Sequence, residues 1–313
     1  MTLFDEPFLR KLERLAIISR RALAGQMQGE RRSPKRGGAV EFADFRPYVL
    51  GDDIRRIDWN AYARLERFFI KLFVEEEDLT IHLLIDASRS MDWGQPNKLE
   101  YALRAAGALG YIAMSGLDRV TVTILGYNGN KNYFPPARGK RQALTLFTFL
   151  ESIISNSKSD IRNSPSASEA PAAARYSTHD IRHYAAQASH PGPLVLFSDL
   201  MGDGWSNGLT ALAARGFEPT VVHILSPDEV DPGRFAEPPL DGDFKLLDSE
   251  SEAEVEITAD FETLERYQQG LAAWREELRR FCTARSINYA PVETSVPLEE
   301  LLFAWLRRQG VLW

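Results

Sequence analysis

Short apolar segments alternate with longer segments of helical period from residue 79 onward, and this alternation constrains the fold more than any other feature of the chain. Strands that are separated by helices form βα units around a parallel sheet. We therefore predict an α/β fold with a mainly parallel sheet flanked by helices. The predicted strands read LTIHLLID, RVTVTILGY, GPLVLFSD, PTVVHILS and INYAPVET.

Helices are predicted between these strands, and the longest of them, at residues 260–285, carries apolar residues three and four positions apart. This spacing predicts one buried stripe. A further helix is expected at residues 7–27, followed by a segment rich in aromatic and turn residues. Residues 1–77 are thus expected to form an N-terminal helix and β-rich elaboration, and residues 78–313 the α/β domain. The predicted stripe comprises Leu264, Tyr267, Leu271, Trp274, Leu278 and Phe281.

Composition narrows the classes of function. The formal net charge of −7 argues against bulk electrostatic binding of nucleic acid, because such binding depends on clustered lysine and arginine. The single cysteine, Cys282, cannot form an intramolecular disulfide, and no metal-ligand spacing surrounds it. The sequence contains neither a signal-peptide pattern nor a run of about 20 apolar residues, so a cytoplasmic location is expected.

Acid and hydroxyl side chains alternate where the strand LTIHLLID ends, at Asp86, Ser88 and Ser90. Alternate residues of an extended turn face the same way, so three oxygen ligands can converge on one point. Carboxylates and hydroxyls are hard ligands, and the ions that they favour are Mg²⁺, Mn²⁺ or Ca²⁺. Taken alone, the motif is as typical of a helix N-cap as of a metal site.

A second acid, Asp199, ends another apolar strand in the position equivalent to Asp86. In an open α/β sheet the loops at the carboxyl ends of the strands form the ligand crevice, so the two acids are expected to lie close together. A hydroxyl from a third loop would complete the ligand set, and Thr178 is the first candidate because it precedes a helix. Other hydroxyls stay open as alternatives, namely Ser177, Ser166 and Ser168.

This constellation resembles the metal-ion-dependent adhesion site of von Willebrand factor A domains. The resemblance implies a von Willebrand A-like, Rossmann-like domain in which Ser88, Ser90 and the Thr178 hydroxyl coordinate the ion directly. Asp86 and Asp199 would then act mainly through bound water. A site so poor in direct negative charge is expected to accept an Asp or Glu of a protein partner as its sixth ligand.

The segment that precedes the sheet interleaves charged and aromatic residues. Its residues alone favour a twisted hairpin in which arginines pair with aspartates above packed aromatic rings. The segment also resembles the signature of bacterial "domain of unknown function 58" proteins, which have Tyr-x-x-Gly-Asp-Asp, Arg-x-Ile-Asp-Trp, an Ala-Arg pair and a Lys that leads an apolar strand. The matching residues are Tyr48, Gly51, Asp52, Asp53, Arg56, Ile57, Asp58, Trp59, Asn60, Ala63, Arg64 and Lys71.

This second resemblance implies a non-enzymatic, divalent-metal-dependent protein-interaction module. Genes for such proteins commonly lie beside genes for MoxR-type AAA+ ATPases, and the pair is thought to act in a chaperone-like way in assembling or activating other complexes. A MoxR-type ATPase or its client is therefore the expected partner. The sequence departs from many such proteins in lacking N-terminal membrane helices and in carrying a Ser/Ala/Pro-rich insertion before Thr178.

Two other classes of function stay open. A Mg²⁺-dependent phosphatase-like hydrolase needs a second acid two residues after Asp86, where Ser88 stands instead. Binding of an anionic partner, either nucleic acid or a membrane surface, would use basic loops. The histidines on predicted strands, His82 and His223, are expected to be core or sheet-face residues. The basic loop residues are Arg31, Arg32, Lys35 and Arg36, assisted by the ARGKR segment at 137–141.

Overall fold

The computed structural model of the chain describes residues 3–18, 40–49, 52, 54, 57–75, 79–126, 132–160, 177–202, 204–232, 242–247, 254–259 and 261–313. The chain divides into two compact units, of which unit 1 comprises Met1–Leu23 and Leu79–Trp313 and unit 2 comprises Ala24–Asp78. The N-terminal helix therefore belongs to the α/β unit, whereas the sequence suggested that it groups with the β-rich segment.

The helices and strands follow one another in an order dominated by βα alternation after residue 79. In chain order they are α1 (Glu6–Leu12), β1 (Val40–Pro47), α2 (Trp59–Leu65), β2 (Phe69–Glu75), β3 (Thr80–Asp86), α3 (Lys98–Ser115), β4 (Arg119–Leu125), β5 (Tyr133–Arg138), α4 (Ala143–Asp160), α5 (Ser177–Gln187), β6 (Pro193–Ser198), α6 (Trp205–Ala214), β7 (Glu218–Leu225), α7 (Pro227–Val230), β8 (Gly242–Leu247), β9 (Glu254–Ala259), α8 (Phe261–Ala284), β10 (Asn288–Glu293) and α9 (Leu298–Glu300). Short 3₁₀ turns lie at Arg89–Met91 and Lys140–Gln142, and a π-helical turn lies at Leu301–Leu306.

Six strands form the central sheet of unit 1, in the order β10-β7-β6-β3-β4-β5. Every neighbouring pair is parallel except β4 and β5, which are antiparallel. Strands β8 and β9 form a separate antiparallel pair. The predicted α/β fold with a mainly parallel sheet is confirmed.

Burial on both faces explains why the central strands read as nearly continuous apolar runs rather than as alternating patterns. β3 is buried from Ile81 to its end, and β6 is buried along its whole length. Helix α3 packs closely on the sheet and on α4, since a Cβ built at Gly110 would lie only 2.4 Å from Cδ2 of Leu146. Within the described residues, no helix has both the length and the apolar character needed to cross a membrane.

The N-terminal helix α1 is shorter than the predicted helix at residues 7–27. It ends at Leu12, which is fully buried in the main core, and Ile17 forms an isolated antiparallel bridge with Leu312. The backbone N–H of Trp313 donates to the carbonyl of Ala16 at 2.9 Å. Pairing with the C-terminal segment thus ends the helix, because residues 16–18 take part in strand-like hydrogen bonds instead.

Unit 2 contains the antiparallel pair β1 and β2 and the short helix α2. Asp58 caps α2, because its side chain accepts hydrogen bonds from the backbone N–H groups of Asn60 and Ala61 at 2.9 and 3.2 Å. Asp52 accepts a hydrogen bond from Arg46 at 2.6 Å. The signature acids Asp52 and Asp58 thus make local hydrogen bonds within unit 2. Other signature residues lie outside the described residues, namely Gly51, Asp53 and Arg56.

His82 lies buried on β3, as predicted for a core histidine. Its Nε2–H donates to the carbonyl of His190 at 2.9 Å, and its Nδ1 accepts from the Tyr184 hydroxyl at 2.5 Å. Burial lowers the pKa of His82 from 6.5 to about 4, so the ring is neutral at pH 7.

Acidification should therefore destabilise unit 1 through His82. The unfolded state binds the proton with a pKa near 6.5 and the folded state with a pKa of about 4, so the unfolded state binds more protons between these values. The stabilisation is complete above pH 6.5 and is lost as the pH falls toward 4. We expect His82→Gln to weaken this pH dependence by roughly 2 to 3 kcal/mol, measured by urea unfolding across that range. An unchanged pH dependence in the variant would contradict the assignment.

Candidate metal centre

The predicted acids meet at the carboxyl edge of the central sheet. β3 and β6 are parallel neighbours, with Ile85 paired with Phe197, so that Asp86 ends its strand beside Ser198. Asp199 follows directly. Both carboxyl groups are buried, at 5% exposure for Asp86 and 1% for Asp199. The expectation that the ends of two apolar strands bring these acids together agrees with the structure.

Asp86 is held by hydrogen-bond donors from both strand ends. The Ser198 hydroxyl donates to Asp86 Oδ2 at 2.6 Å, and the Ser88 backbone N–H donates to Oδ1 at 3.0 Å. Burial raises the pKa of the Asp86 carboxyl, the nearby Asp199 carboxylate raises it further, and the hydrogen bond from Ser198 acts in the opposite direction. The ionised form of Asp86 is thus disfavoured by its surroundings unless positive charge is added.

Ser88 and Ser90 turn their hydroxyls toward each other, with the two Oγ atoms 3.1 Å apart. Ser88 precedes the 3₁₀ turn at Arg89–Met91, but its side chain makes no capping hydrogen bond there. The long helix α3 is capped instead by Asn97, which accepts from the backbone N–H of Glu100 at 3.0 Å. The helix-cap interpretation of the motif therefore does not account for the two serine hydroxyls.

A buried lysine, which the sequence did not single out, completes the charge distribution. The Lys98 ammonium is fully buried and donates to Asp199 Oδ2 at 2.8 Å and to Glu229 Oε1 at 2.5 Å. Glu229 also accepts from the backbone N–H of Ser226 at 2.8 Å. Lys98 is the first residue of helix α3, and lysine in the first turn of a helix is usually solvated, so no sequence signal marked it. Glu229 lies in the segment LSPDE, at residues 225–229.

His223 fixes the backbone that carries Asp199. Its Nε2–H donates to the Asp199 carbonyl at 3.0 Å, and its Nδ1 accepts from the Tyr289 hydroxyl at 2.6 Å. Burial is the main reason that the pKa of His223 falls to about 4. The neutral His223 ring, with both nitrogens hydrogen-bonded, orients the loop that carries Asp199. It is not placed to act as a general base.

The donor chemistry fits a hard divalent cation. The described residues that meet at this edge offer carboxylate and hydroxyl oxygens, which are the ligands that such ions favour. In the described part of the chain, no group of three or more His, Cys, Asp or Glu side chains is arranged to hold a metal. A site here consequently depends on Ser88 and Ser90 as well as on Asp86 and Asp199.

The predicted third-loop ligands cannot be placed. Ser177 and Thr178 begin helix α5, but their side chains lie outside the described residues, and so do Ser166 and Ser168. The basic loop residues Arg31 to Arg36 also lie outside them. Of the second basic segment, Lys140 pairs with Glu13 at 2.5 Å.

Removing the Ser198 hydroxyl should weaken the protein measurably. The hydroxyl donates to Asp86 and accepts from the backbone N–H of Leu200 at 2.9 Å, so Ser198→Ala leaves both groups buried without that partner. We expect a loss of about 1 to 3 kcal/mol in the free energy of unfolding, measured in urea. Ser155→Ala is the control, because its exposed hydroxyl only bonds to the helix carbonyl of Glu151. Equal stability of the two variants would contradict the role of Ser198.

Comparison with known proteins identifies relatives over most of the chain. The sequence model of the family described as "Protein of unknown function DUF58" matches residues 44–277. Uncharacterized proteins of Mycobacterium tuberculosis and Mycobacterium bovis are each 28% identical over 284 residues, covering 88% of this chain and 82% of each relative.

Among solved structures, a similarity is found to an aerotolerance-related membrane protein from Bacteroides fragilis that carries multiple mutations to serine. It is 16% identical, with a TM-score of 0.36, and the match covers 74% of this chain and 98% of that one. A TM-score this low does not establish a common fold.

Proposed function

Because the chain belongs to the family of proteins of unknown function DUF58, we propose that it is a non-enzymatic, divalent-metal-dependent protein-interaction module of von Willebrand A-like type. The ion is Mg²⁺, with Mn²⁺ or Ca²⁺ as substitutes. Ser88, Ser90 and Thr178 would hold the ion through their hydroxyls, and Asp86 and Asp199 through water. These roles follow the resemblance of the motif to a metal-ion-dependent adhesion site.

The observation that carries this proposal is an excess of carboxyl groups over cations at the edge of the sheet, where Asp86 and Asp199 are buried and Glu229 is partly exposed. Asp86, Asp199 and Glu229 supply three carboxyl groups, while Lys98 is the only cation within ion-pair distance of them in the part of the chain that the structure describes. Isolated buried charges are costly, so unpaired carboxylates bind protons or cations. A hard divalent ion beside Asp86 would compensate the remaining charge and would use as ligands the Ser88 and Ser90 hydroxyls, which face each other.

An ion held mainly by neutral hydroxyls keeps much of its attraction for a further carboxylate. We therefore assign the remaining coordination position to an Asp or Glu of a protein partner. The absence of enzymatic activity is part of the proposal. Ser88 occupies the position that a phosphatase-like acid would need, and the neutral His82 and His223 are engaged with tyrosine hydroxyls rather than with a serine nucleophile.

The partner proposed is a MoxR-type AAA+ ATPase or its client, in a chaperone-like role in the assembly or activation of other complexes. This assignment comes from the family resemblance in the signature residues around Asp52 and Asp58. Binding of the partner should therefore depend on the ion as well as on the contact surfaces of this chain and of the partner.

The proposal is tested by quantitative capture of the co-expressed ATPase on the immobilised chain, in Mg²⁺ and in EDTA. Binding should require Mg²⁺ and should be lost in Asp86→Ala. Glu6→Ala is the matched control, because it removes an acid from an exposed ion pair with Arg10. Capture that is indifferent to both EDTA and Asp86→Ala would overturn the metal-dependent mechanism.

A further inference from the structure

The metal centre is bordered by an apolar cavity that the proposed function does not use. We infer that this cavity receives a large apolar side chain from the same partner segment whose carboxylate binds the ion. The inference rests on the proposed function and adds the chemistry of the partner: an acidic residue with a large aliphatic or aromatic residue close to it in sequence.

The cavity has a volume of about 530 Å³ and lies between the loop after Asp199 and helix α8. Leu200 and Met201 form one wall, and Tyr267, Leu271 and Trp274 contribute to the other. Of the lining residues that the structure describes, none is charged. An open cleft of this volume, lined by leucine, methionine and aromatic side chains, has room for one large apolar side chain.

The wall on α8 is the apolar stripe that the sequence predicted to be core. The stripe is fully buried at Leu278, but Tyr267 is 41% exposed, and Met201 across the cavity is 46% exposed. Among the described residues, none fills the space between them. Within the described residues, the apolar face of α8 is therefore covered at Leu278 and open at Tyr267, beside the metal centre.

One loop connects the metal centre to the cavity. Asp199 Oδ1 accepts from the backbone N–H of Met201 at 3.2 Å, and Leu200 between them adopts a left-handed φ of 54°. Met201 is two positions after Asp199, which corresponds to at most about 7 Å of chain. A partner residue within three positions of the acid can therefore reach the cavity while the acid is at the ion.

Gly270 offers a way to close the cavity without damaging the fold. It lines the cavity from α8, and a Cβ built on it meets no atom within 4 Å. Gly270→Phe should consequently fill the space, and phenylalanine is no worse a helix former than glycine. Gly270→Ala is the matched control, because a single methyl group leaves most of the cavity open.

The experiment uses random peptides displayed on phage, selected on the full-length chain in millimolar Mg²⁺, with affinities then measured for synthetic copies. The selected peptides should combine an Asp or Glu with a large apolar residue within three positions. Their affinity should fall by about 10- to 100-fold on Gly270→Phe, stay unchanged on Gly270→Ala, and vanish in EDTA and on Asp86→Ala. Mn²⁺ titration of Gly270→Phe should match wild type.

The other outcomes separate the two proposals. Mg²⁺-dependent peptides that bind Gly270→Phe as tightly as wild type would overturn the role of the cavity and leave the metal-dependent function standing. Peptides that need the cavity but ignore EDTA and Asp86→Ala would overturn the joint recognition and count against the metal mechanism. Selection of no Mg²⁺-dependent peptide would overturn the inference as well.

Discussion

Lys98→Met is expected to lower the free energy of unfolding by about 3 to 5 kcal/mol, the largest effect on stability that we predict. The Lys98 ammonium has no exposed surface and is shared between Asp199 and Glu229, at 2.8 and 2.5 Å. Methionine matches the length of the lysine stem but has no charge. The substitution therefore leaves the buried Asp199 carboxyl group and the partly exposed Glu229 carboxyl group without their counterion. The Asp199 group must then stay desolvated without a charge partner or take up a proton.

The matched control for this prediction is Lys11→Met. Lys11 also pairs with a glutamate, Glu299, at 2.8 Å, but both side chains are more than half exposed. Exposed ion pairs contribute about 0 to 1 kcal/mol, so this variant should unfold close to wild type. Urea denaturation of both variants in EDTA makes the comparison. A loss of less than about 1 kcal/mol in Lys98→Met would contradict the description of Lys98 as the counterion of the site.

Asp86→Asn is expected to weaken Mn²⁺ or Mg²⁺ binding by about 10- to 100-fold while leaving the metal-free protein as stable as wild type, or more stable. The stability follows from the pKa of Asp86, which burial and the neighbouring Asp199 both raise. Removal of the charge relieves both effects. The amide oxygen can still accept from the Ser88 backbone N–H, and the amide NH₂ can donate to the Ser198 hydroxyl oxygen. The loss of affinity follows because the carboxylate would orient and attract the ion's water shell.

Titration calorimetry with Mn²⁺ measures the affinity, and thermal unfolding with and without Mg²⁺ measures the linked stability. Wild type should gain about 2.7 kcal/mol when the free ion is at a hundredfold excess over its dissociation constant, whereas the variant should gain much less at that concentration. Asp5→Asn is the control, because Asp5 caps α1 at the surface and asparagine caps equally well. Equal ion binding by Asp86→Asn and wild type would contradict the site.

The sheet and the paired acids could be predicted because their signals are local. Continuous apolar runs indicate strands buried on both faces, and polar residues directly after two such runs indicate the carboxyl edge of one sheet. The prediction that Asp86 and Asp199 lie at this edge needed no knowledge of distant contacts. The same local pattern left Ser88 open as a helix cap, and only the position of Asn97 at the start of α3 resolved that ambiguity.

The parts that the sequence did not predict depend on long-range contacts. Lys98 looks like a solvated residue in the first turn of a helix. Asp199 and Glu229, which lie 101 and 131 residues later in the chain, make it a buried counterion. The helical pattern after residue 7 gave no sign that Ile17 would pair with Leu312. The stripe on α8 was predicted to be buried, but Tyr267 within it is 41% exposed. Periodicity locates an apolar face of a helix but does not say what covers that face.

The most direct test of the account is diffraction from crystals of the full-length chain grown or soaked in Mn²⁺, recorded for the anomalous signal of manganese. We expect one ion at the carboxyl edge of the sheet, bonded at about 2.1 Å to the hydroxyls of Ser88 and Ser90, with Asp86 and Asp199 behind bound waters. The proposed metal site would be contradicted if a saturating soak left this edge without an anomalous peak and the two serine hydroxyls were still hydrogen-bonded to each other.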